Sequence, residues 1–293
     1  MFSYQSVAEI VALAGDGKIS AVVLADQAAQ MEVTEAEILA RMRESLAVMR
    51  KSAEAGLQPG LRSVSGLSGG DGYKMHQHAL GEKADKPLSG AFCAQATALA
   101  IGIQEYNAAM GKIVATPTAG SCGILPAGVL TMMAQRGASE ESAVNALITA
   151  GAIGLVIATN ATVSGASGGC QAECGSAAAM TAAALVEMMG GTATQCAHAA
   201  AIALQNQMGL VCDPVAGLVE VPCILRNGGG IMIAVSAADL AMAGVQSVIP
   251  LDEVITAMGE VGRTMPENLR ETSLGGLATT PTGLKIKQEI FGE

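Results

Sequence analysis

The chain has 293 residues, of which 51% are hydrophobic and only 2% aromatic. Its formal net charge of −10 at pH 7 would repel phosphates, which argues against a nucleic-acid-binding protein and against binding to an anionic membrane surface. A core without aromatic residues must be built from Ala, Leu, Ile, Val and Met, a composition that favours closely packed helices over a β-sandwich.

The N-terminal sixty residues predict helices that pack on the core. The first residues lack the basic and continuous apolar regions of a secretory signal, so we expect a cytoplasmic protein. Thr34 and Glu37 fit a capping box, in which two side chains bond the free amides of a helix start. Apolar residues then recur at helical spacing until Gly56, a plausible stop. We expect this helical segment over 1–60 and a second domain over 61–293.

The next segment, 57–90, is rich in Gly, Ser and charge and predicts a loop with short structure. After it, apolar runs separated by Gly-rich turns predict helices, with Ser139 and Thr192 as helix starts. We therefore expect an all-α fold, a compact multi-helix domain with Gly- and Ser-rich loops between its helices. The runs cover about 91–110, 121–136, 140–160, 173–190, 194–209, 228–245 and 251–262.

One of these runs, 144–163, is long enough to span a bilayer. Asn145, Asn160 and several Thr interrupt it, and no Lys or Arg cluster flanks it to set an orientation. A helix that is apolar all round can also form the centre of a large helical bundle. We therefore expect no membrane span.

The chain has seven cysteines, an odd number. In a reducing compartment, grouped cysteines indicate metal binding or catalysis more than disulfides, although a buried cysteine is often only a small apolar side chain. Cys170 and Cys174 lie four residues apart, with Cys212 and Cys223 further along. This spacing permits an iron–sulfur cluster or a zinc site and does not choose the ligands.

Four polar loops lie between the apolar helices, and three of them contain cysteine. Each precedes a helix, whose free amides can hold a carboxylate or phosphate. The loops read SVSGLSGGDGYK (63–74), ATPTAGSCGILP (115–126), TNATVSGASGGCQAECG (159–175) and LVCDPVAGLVEVPC (210–223).

These loops, together with RETSLGGLATTPTG (270–283), resemble the α chain, or catalytic domain, of iron–sulfur-dependent L-serine dehydratase (L-serine ammonia-lyase). The resemblance covers roughly 60–285, and it implies that 61–293 is the catalytic domain, with its Gly- and Ser-rich loops converging on a metal-cluster site. It implies that L-serine is converted to pyruvate and ammonia without pyridoxal phosphate, in amino-acid catabolism and gluconeogenesis. It also implies a [4Fe–4S] cluster held by Cys170, Cys212 and Cys223, with one iron left open to act as a Lewis acid.

For the other cysteines the resemblance implies lesser roles. Cys174 would lie behind the ligands, and Cys122 would line the site. Cys93 and Cys196 lie in apolar helical runs and are expected in the core.

Binding of the substrate carboxylate is expected from turn residues that offer amides and hydroxyls. These are Ser63, Ser65, Gly66, Thr118, Ala119, Gly120 and Ser121. Lys74 and Arg270 are candidates to hold the carboxylate by charge, and Lys74 and His76 are the catalytic candidates. His76 and His78 are candidates to shuttle protons, a common role of histidine, but a loop histidine is more often a bystander. His198 is expected to be an ordinary helical residue.

Some single-chain members of the family end in a cysteine that reaches back to the cluster, whereas this sequence ends in Ile290-Phe291-Gly292-Glu293. It also lacks their additional N-terminal domain. The resemblance therefore implies a two-chain enzyme with a separate β chain that contributes to the site. Three alternatives stay open: a related cysteine desulfidase-type lyase, a non-enzymatic membrane or transport component, and a zinc-structured binding protein.

Overall fold

Helices begin where the sequence offers a local cap. The side chains of Thr34 and Thr192 accept hydrogen bonds from the amides three residues later, and Glu37 and Gln195 complete the two capping boxes. Ser139 caps its helix in the same way but without the reciprocal bond. These three predicted helix starts are confirmed.

The computed structural model describes residues 4–81 and 87–292. Within them it contains thirteen α-helices and no β-strand, which confirms the all-α prediction. The helices are α1 Val7–Ala14, α2 Ile19–Met31, α3 Glu35–Gly56, α4 Asp71–Leu80, α5 Gly90–Ala108, α6 Ile124–Arg136, α7 Glu140–Asn160, α8 Gly165–Gly168, α9 Ser176–Met188, α10 Ala193–Gln205, α11 Cys223–Met242, α12 Leu251–Thr264 and α13 Pro281–Phe291.

The core lies around α9, whose Ala-rich sequence is buried along nearly its whole length. Helices α7, α10 and α11 pack against it, because small side chains let helix axes approach closely. Between α3 and α5 the backbones themselves meet, and a Cβ added to Gly56 would lie 2.2 Å from the carbonyl oxygen of Gly102. Helix α3 thus packs directly on the core, while the expected domain boundary at residue 60 stays a prediction.

Two helices in the described residues, α7 and α11, are long and apolar enough to cross a bilayer by length and composition. The most apolar 18-residue window of α7 is 67% buried within the structure. This burial agrees with our expectation that the run 144–163 is a central helix of the bundle.

Helix α4 lies inside the segment that we predicted to be a loop with short structure. Its first residue follows Gly70, which has a left-handed backbone and provides no side-chain cap. Glu105 of α5 supplies the cap instead: its carboxylate accepts the amides of Asp71 at 2.8 Å and Gly72 at 3.0 Å. The helix start is stabilised by a residue distant in sequence, which a local pattern cannot indicate.

Candidate metal centre

Cys170 precedes a short π-helix before α9, and Cys174 lies within it. Residues Gln171–Gly175 form a π-helix that runs directly into α9, a distortion that often marks functional sites. Each of the two cysteines is 1% exposed, and their sulfurs lie 3.5 Å apart. Hydrogen bonding to Cys174 and the charge of Arg226 lower the pKa of the Cys170 thiol, which favours a thiolate at this position.

Cys212 is buried in the segment that follows α10. Its amide donates to the carbonyl of Leu269 at 2.8 Å, and its own carbonyl accepts the amide of Glu271 at 2.7 Å. These two backbone bonds form an isolated parallel β-bridge between Cys212 and Arg270. The backbone of the predicted carboxylate-binding residue is therefore fixed beside a predicted ligand.

Cys223 is the first residue of α11, which starts five residues before the apolar run beginning at 228 that we had predicted. One turn later, Asn227 donates to the carbonyls of Cys223 at 2.9 Å and Gly120 at 2.8 Å. It also accepts the amide of Gly123 at 2.9 Å. This buried amide ties the turn 118–121 to the start of α11.

The three predicted ligands lie within electrostatic range of one another. Burial raises the pKa of the Cys212 thiol above its ordinary value, and the charges of Cys170 and Cys223 raise it further. Burial raises the pKa of Cys223 to about 12, and Cys170 again adds to the effect. The structure thus brings together residues that are 42 and 11 positions apart in the sequence.

Arg226 is a site residue that the sequence interpretation missed. Its guanidinium donates to Asp213 Oδ1 at 2.8 Å and to the carbonyl of Val211 at 2.8 Å, and it interacts with the Cys170 sulfur. Asp213 also accepts the amide of Leu277 at 2.7 Å. The ion pair is largely buried and places a permanent positive charge beside the thiols. The nearest signal in the sequence was its position one turn after Cys223.

Glu173 is a second residue that was missed, although it lies between Cys170 and Cys174. It accepts a hydrogen bond from the Thr118 hydroxyl at 2.7 Å. A Cβ added to Gly165 would lie 2.6 Å from Glu173 Oε2 and 3.2 Å from the Cys212 sulfur, so all three groups meet at one point. Burial raises the pKa of Glu173 above its ordinary value, and the charge of Glu271 contributes. The carboxylate is thus a strengthened base beside the thiols.

The predicted carboxylate-binding turn 118–121 adjoins Glu173. Thr118 and Ser121 share a hydroxyl contact of 3.1 Å, and Ser121 donates to the carbonyl of Thr116 at 3.3 Å. A Cβ on Gly120 would lie 3.1 Å from Glu173 Oε1, while the carbonyl of Ala119 accepts a bond from Asn107. The glycine therefore lets the turn approach the carboxylate.

Residues 63–70, which we call the serine loop, form hydrogen bonds within the protein through their serine hydroxyls. Ser63 and Ser65 contact each other at 3.2 Å, and Ser65 donates to Glu220 Oε1 at 2.7 Å. Gly66 has a φ of +75°, which glycine adopts without strain. Glu220 was not singled out in the sequence, and the substrate-binding role of the three loop residues stays a prediction.

Lys74 and His76 lie on α4. Lys74 forms an exposed ion pair with Asp71 at 2.7 Å, and His76 Nδ1 contacts Gln95 Oε1 at 2.9 Å. Among the described residues, their polar contacts do not connect them to the cysteines. His78 is exposed on the same helix. The catalytic role of Lys74 and His76 therefore stays a prediction.

The other three cysteines, Cys93, Cys122 and Cys196, differ in how deeply they are buried. Cys122 is buried and donates to Gln104 Oε1 at 3.0 Å, and burial raises the pKa of its thiol to about 12. Cys196 is also buried, whereas Cys93 is only half-buried.

The donor set fits a cluster by its chemistry. Three buried thiols, one with a lowered pKa and an adjacent guanidinium, are the kind of ligand that iron–sulfur clusters use. In the described part of the chain, no three His, Cys, Asp or Glu side chains form a group that could hold a single metal ion. A four-iron cluster is wider than one ion, so its ligands stand further apart.

Comparisons with known proteins agree with the resemblance drawn from the loops. The family model described as serine dehydratase alpha chain matches residues 16–278. The chain is 47% identical over 291 residues to the probable L-serine dehydratase, alpha chain, of Bacillus subtilis (strain 168), covering 99% of this chain and 96% of that protein. It is 46% identical over 276 residues to the L-serine dehydratase, alpha chain, of Peptoniphilus asaccharolyticus, covering 94% of each. It is also 47% identical over 184 residues to the L-serine dehydratase of Streptomyces coelicolor (strain ATCC BAA-471 / A3(2) / M145), covering 62% of this chain but only 40% of that protein.

Proposed function

Because the chain belongs to the serine dehydratase alpha chain family, we propose that it is the α subunit of a two-chain, [4Fe–4S]-dependent and pyridoxal-phosphate-independent L-serine dehydratase. The observation that carries this proposal is the cluster of buried Cys170, Cys212 and Cys223 beside Arg226 and Glu173. L-Serine loses its Cα proton and its hydroxyl group as water, which leaves aminoacrylate. This product tautomerises and takes up water to release pyruvate and ammonia.

The three cysteines would hold the cluster, and the buried Arg226 would offset part of its negative charge. When bound, the cluster supplies a Lewis acid for the departing hydroxyl group. The ion pair of Arg226 with Asp213 keeps the guanidinium oriented toward Cys170. Cys174, 3.5 Å behind Cys170, supports that ligand.

The proton chemistry falls to Glu173 in this proposal. A general base works best when its pKa lies close to the working pH, and burial raises the pKa of this carboxyl. The Thr118 hydroxyl orients it, and the turn 118–121 holds the substrate carboxylate nearby through its amides and hydroxyls. Arg270, whose backbone is fixed beside Cys212, adds positive charge for that carboxylate.

A separate β chain would complete the enzyme. Two relatives that this chain matches over most of its length are named as alpha chains, while the S. coelicolor relative is a longer protein of which the chain covers 40%. We expect a cytoplasmic complex, and cell fractionation tests this directly. Recovery of the chain in the membrane fraction would instead favour the transport alternative.

Anaerobic co-purification with the β chain, followed by iron and sulfide analysis and a pyruvate assay, tests the whole proposal. We expect a coloured, iron-containing complex that releases pyruvate from L-serine. Turnover of serine, threonine and cysteine should be compared in one assay, because preferential release of sulfide from cysteine would indicate a desulfidase. A colourless protein that is inactive on serine after cluster reconstitution would refute the proposal.

A further inference from the structure

Glu220 is a buried carboxylate between two of the loops that form the site. Only 6% of its surface is exposed. Oε1 accepts the Ser65 hydroxyl at 2.7 Å, and Oε2 accepts the Ser68 hydroxyl. A buried carboxylate needs such partners, and hydrogen bonds to a charged acceptor are stronger than neutral ones.

In the serine loop, the hydroxyl oxygens accept backbone amides, so that the Ser65 proton remains available to Glu220. The hydroxyl oxygen of Ser65 accepts the amide of Leu67 at 3.0 Å, and that of Ser63 accepts the amide of Ser68 at 3.2 Å. The amide of Ser63 closes the loop by donating to the carbonyl of Ser68 at 3.0 Å. A hydroxyl has one proton to donate. Ser65 donates that proton to the Glu220 carboxylate, while its oxygen accepts the Leu67 amide.

On its other side, Glu220 belongs to the short segment that leads to Cys223. The carbonyl of the preceding Val219 accepts a bond from Gln104 at 3.4 Å. The Val219 side chain packs over Gly120, where an added Cβ would lie 3.4 Å from it. The segment 219–223 therefore contacts the serine loop and the turn 118–121, and it ends in the predicted cluster ligand Cys223.

We propose that Glu220 is a positioning residue for the substrate. Its carboxylate holds the serine loop at a fixed place relative to Cys223 and the turn 118–121, so that the two segments expected to bind the substrate carboxylate keep their mutual position. This inference rests on the proposed function and extends it to a residue that makes no contact with the three cysteines among its hydrogen bonds.

Glu220→Ala frees the serine loop, and we expect KM for L-serine to rise about tenfold or more while kcat changes little. Glu220→Gln keeps one acceptor for a serine hydroxyl and should restore part of the affinity. Iron and sulfide content should match the wild type in both variants. Should Glu220→Ala fold poorly, Ser68→Ala removes one of the two bonds and should shift KM in the same direction.

Hydrogen exchange on the purified complex gives a readout that does not depend on turnover. We expect the amides of Ser63, Leu67 and Ser68 to exchange about tenfold faster or more in Glu220→Ala than in the wild type. Glu187→Gln is the matched control, because this buried carboxylate accepts the Thr149 hydroxyl and the Ser20 amide far from the loop in sequence. It should lower thermal stability without changing loop exchange or KM.

Unchanged loop exchange in Glu220→Ala would overturn the inference, as would an unchanged KM or a loss of iron that accounts for the whole loss of activity. Failure of the proposed function looks different. In that case the wild-type complex would not turn over serine, while the exchange comparison would still report whether Glu220 holds the loop.

Discussion

At the scale of single residues, the site depends on charged side chains that are buried beside the cysteine thiols. Arg226 lies beside Cys170, and Glu173 lies beside Cys212. Charged groups are rarely buried without a partner, so a cysteine cluster that needed only apolar packing would not contain them. The buried Arg226 distinguishes Cys170, Cys212 and Cys223 from the buried Cys196, whose neighbouring charge is the carboxylate of Glu187.

Glu173→Gln tests the proposed base. The amide keeps the hydrogen bond with Thr118 but cannot take a proton, and we expect kcat to fall by about 100-fold or more. Because burial raises the pKa of Glu173 and the reaction needs the ionised carboxylate, wild-type kcat should increase with pH through that raised pKa. Steady-state kinetics over a pH series measure both effects. A variant with full kcat and unchanged iron content would exclude this role.

Glu173, Arg226 and Glu220 could not be assigned from sequence for a physical reason. Their roles depend on the π-helix after Cys170 and on contacts between loops that are distant along the chain. The cysteines were recognisable because their loops carry recurring motifs, whereas a glutamate in the same motifs has no local signal that separates a buried base from a solvated side chain.

At the scale of helices, local signals predicted three of the helix starts that the chain caps by itself. Thr34, Ser139 and Thr192 bond the amides three residues ahead, and their helices were predicted from sequence. Helix α4 was not, because its cap comes from Glu105 of α5. A tertiary cap leaves no local signal, whereas the local cap of α13 by Thr280 was present in the sequence and was not recognised as a helix start.

The cap by Glu105 gives a pH-dependent prediction. Burial raises the pKa of Glu105, so the folded chain binds more protons than the unfolded chain between the ordinary and the raised value. Its contribution to the free energy of unfolding is therefore largest below this window and decreases as pH rises through it. Glu105→Gln should flatten this dependence and, by weakening the cap of α4, lower the free energy of unfolding by about 1–3 kcal/mol. Denaturant titrations at several pH values measure both effects, and an equal pH slope in the variant would contradict the assignment.

The contact between α3 and α5 gives a second prediction at this scale. A methyl group at Gly56 would lie 2.2 Å from a backbone carbonyl oxygen, so Gly56→Ala should lower the free energy of unfolding by about 2 kcal/mol or more. Gly151 of α7 is the matched control, because an added Cβ there meets nothing within 4 Å. Gly151→Ala should raise stability by about 0.5–1 kcal/mol. Equal effects of the two substitutions would show that the close helix contact is absent in solution.

At the scale of the whole molecule, the composition explains why a helical bundle can hold this site. Alanine and glycine let α7, α9, α10 and α11 pack tightly with almost no aromatic residues. The loops at the ends of these helices then bring Cys170, Cys212, Cys223 and the turn 118–121 together. The all-α class followed from composition and periodicity, but the convergence of the loops followed only from their resemblance to a known family.

The central claim is that three particular cysteines hold the cluster. Anaerobic reconstitution followed by iron and sulfide analysis tests it most directly in the wild type, in Cys170→Ser, Cys212→Ser and Cys223→Ser, and in Cys196→Ser as a buried-thiol control. We predict about four irons and four sulfides per chain in the wild type and in Cys196→Ser, and a large loss in each of the other three. Wild-type iron content in any of those three variants would contradict the account.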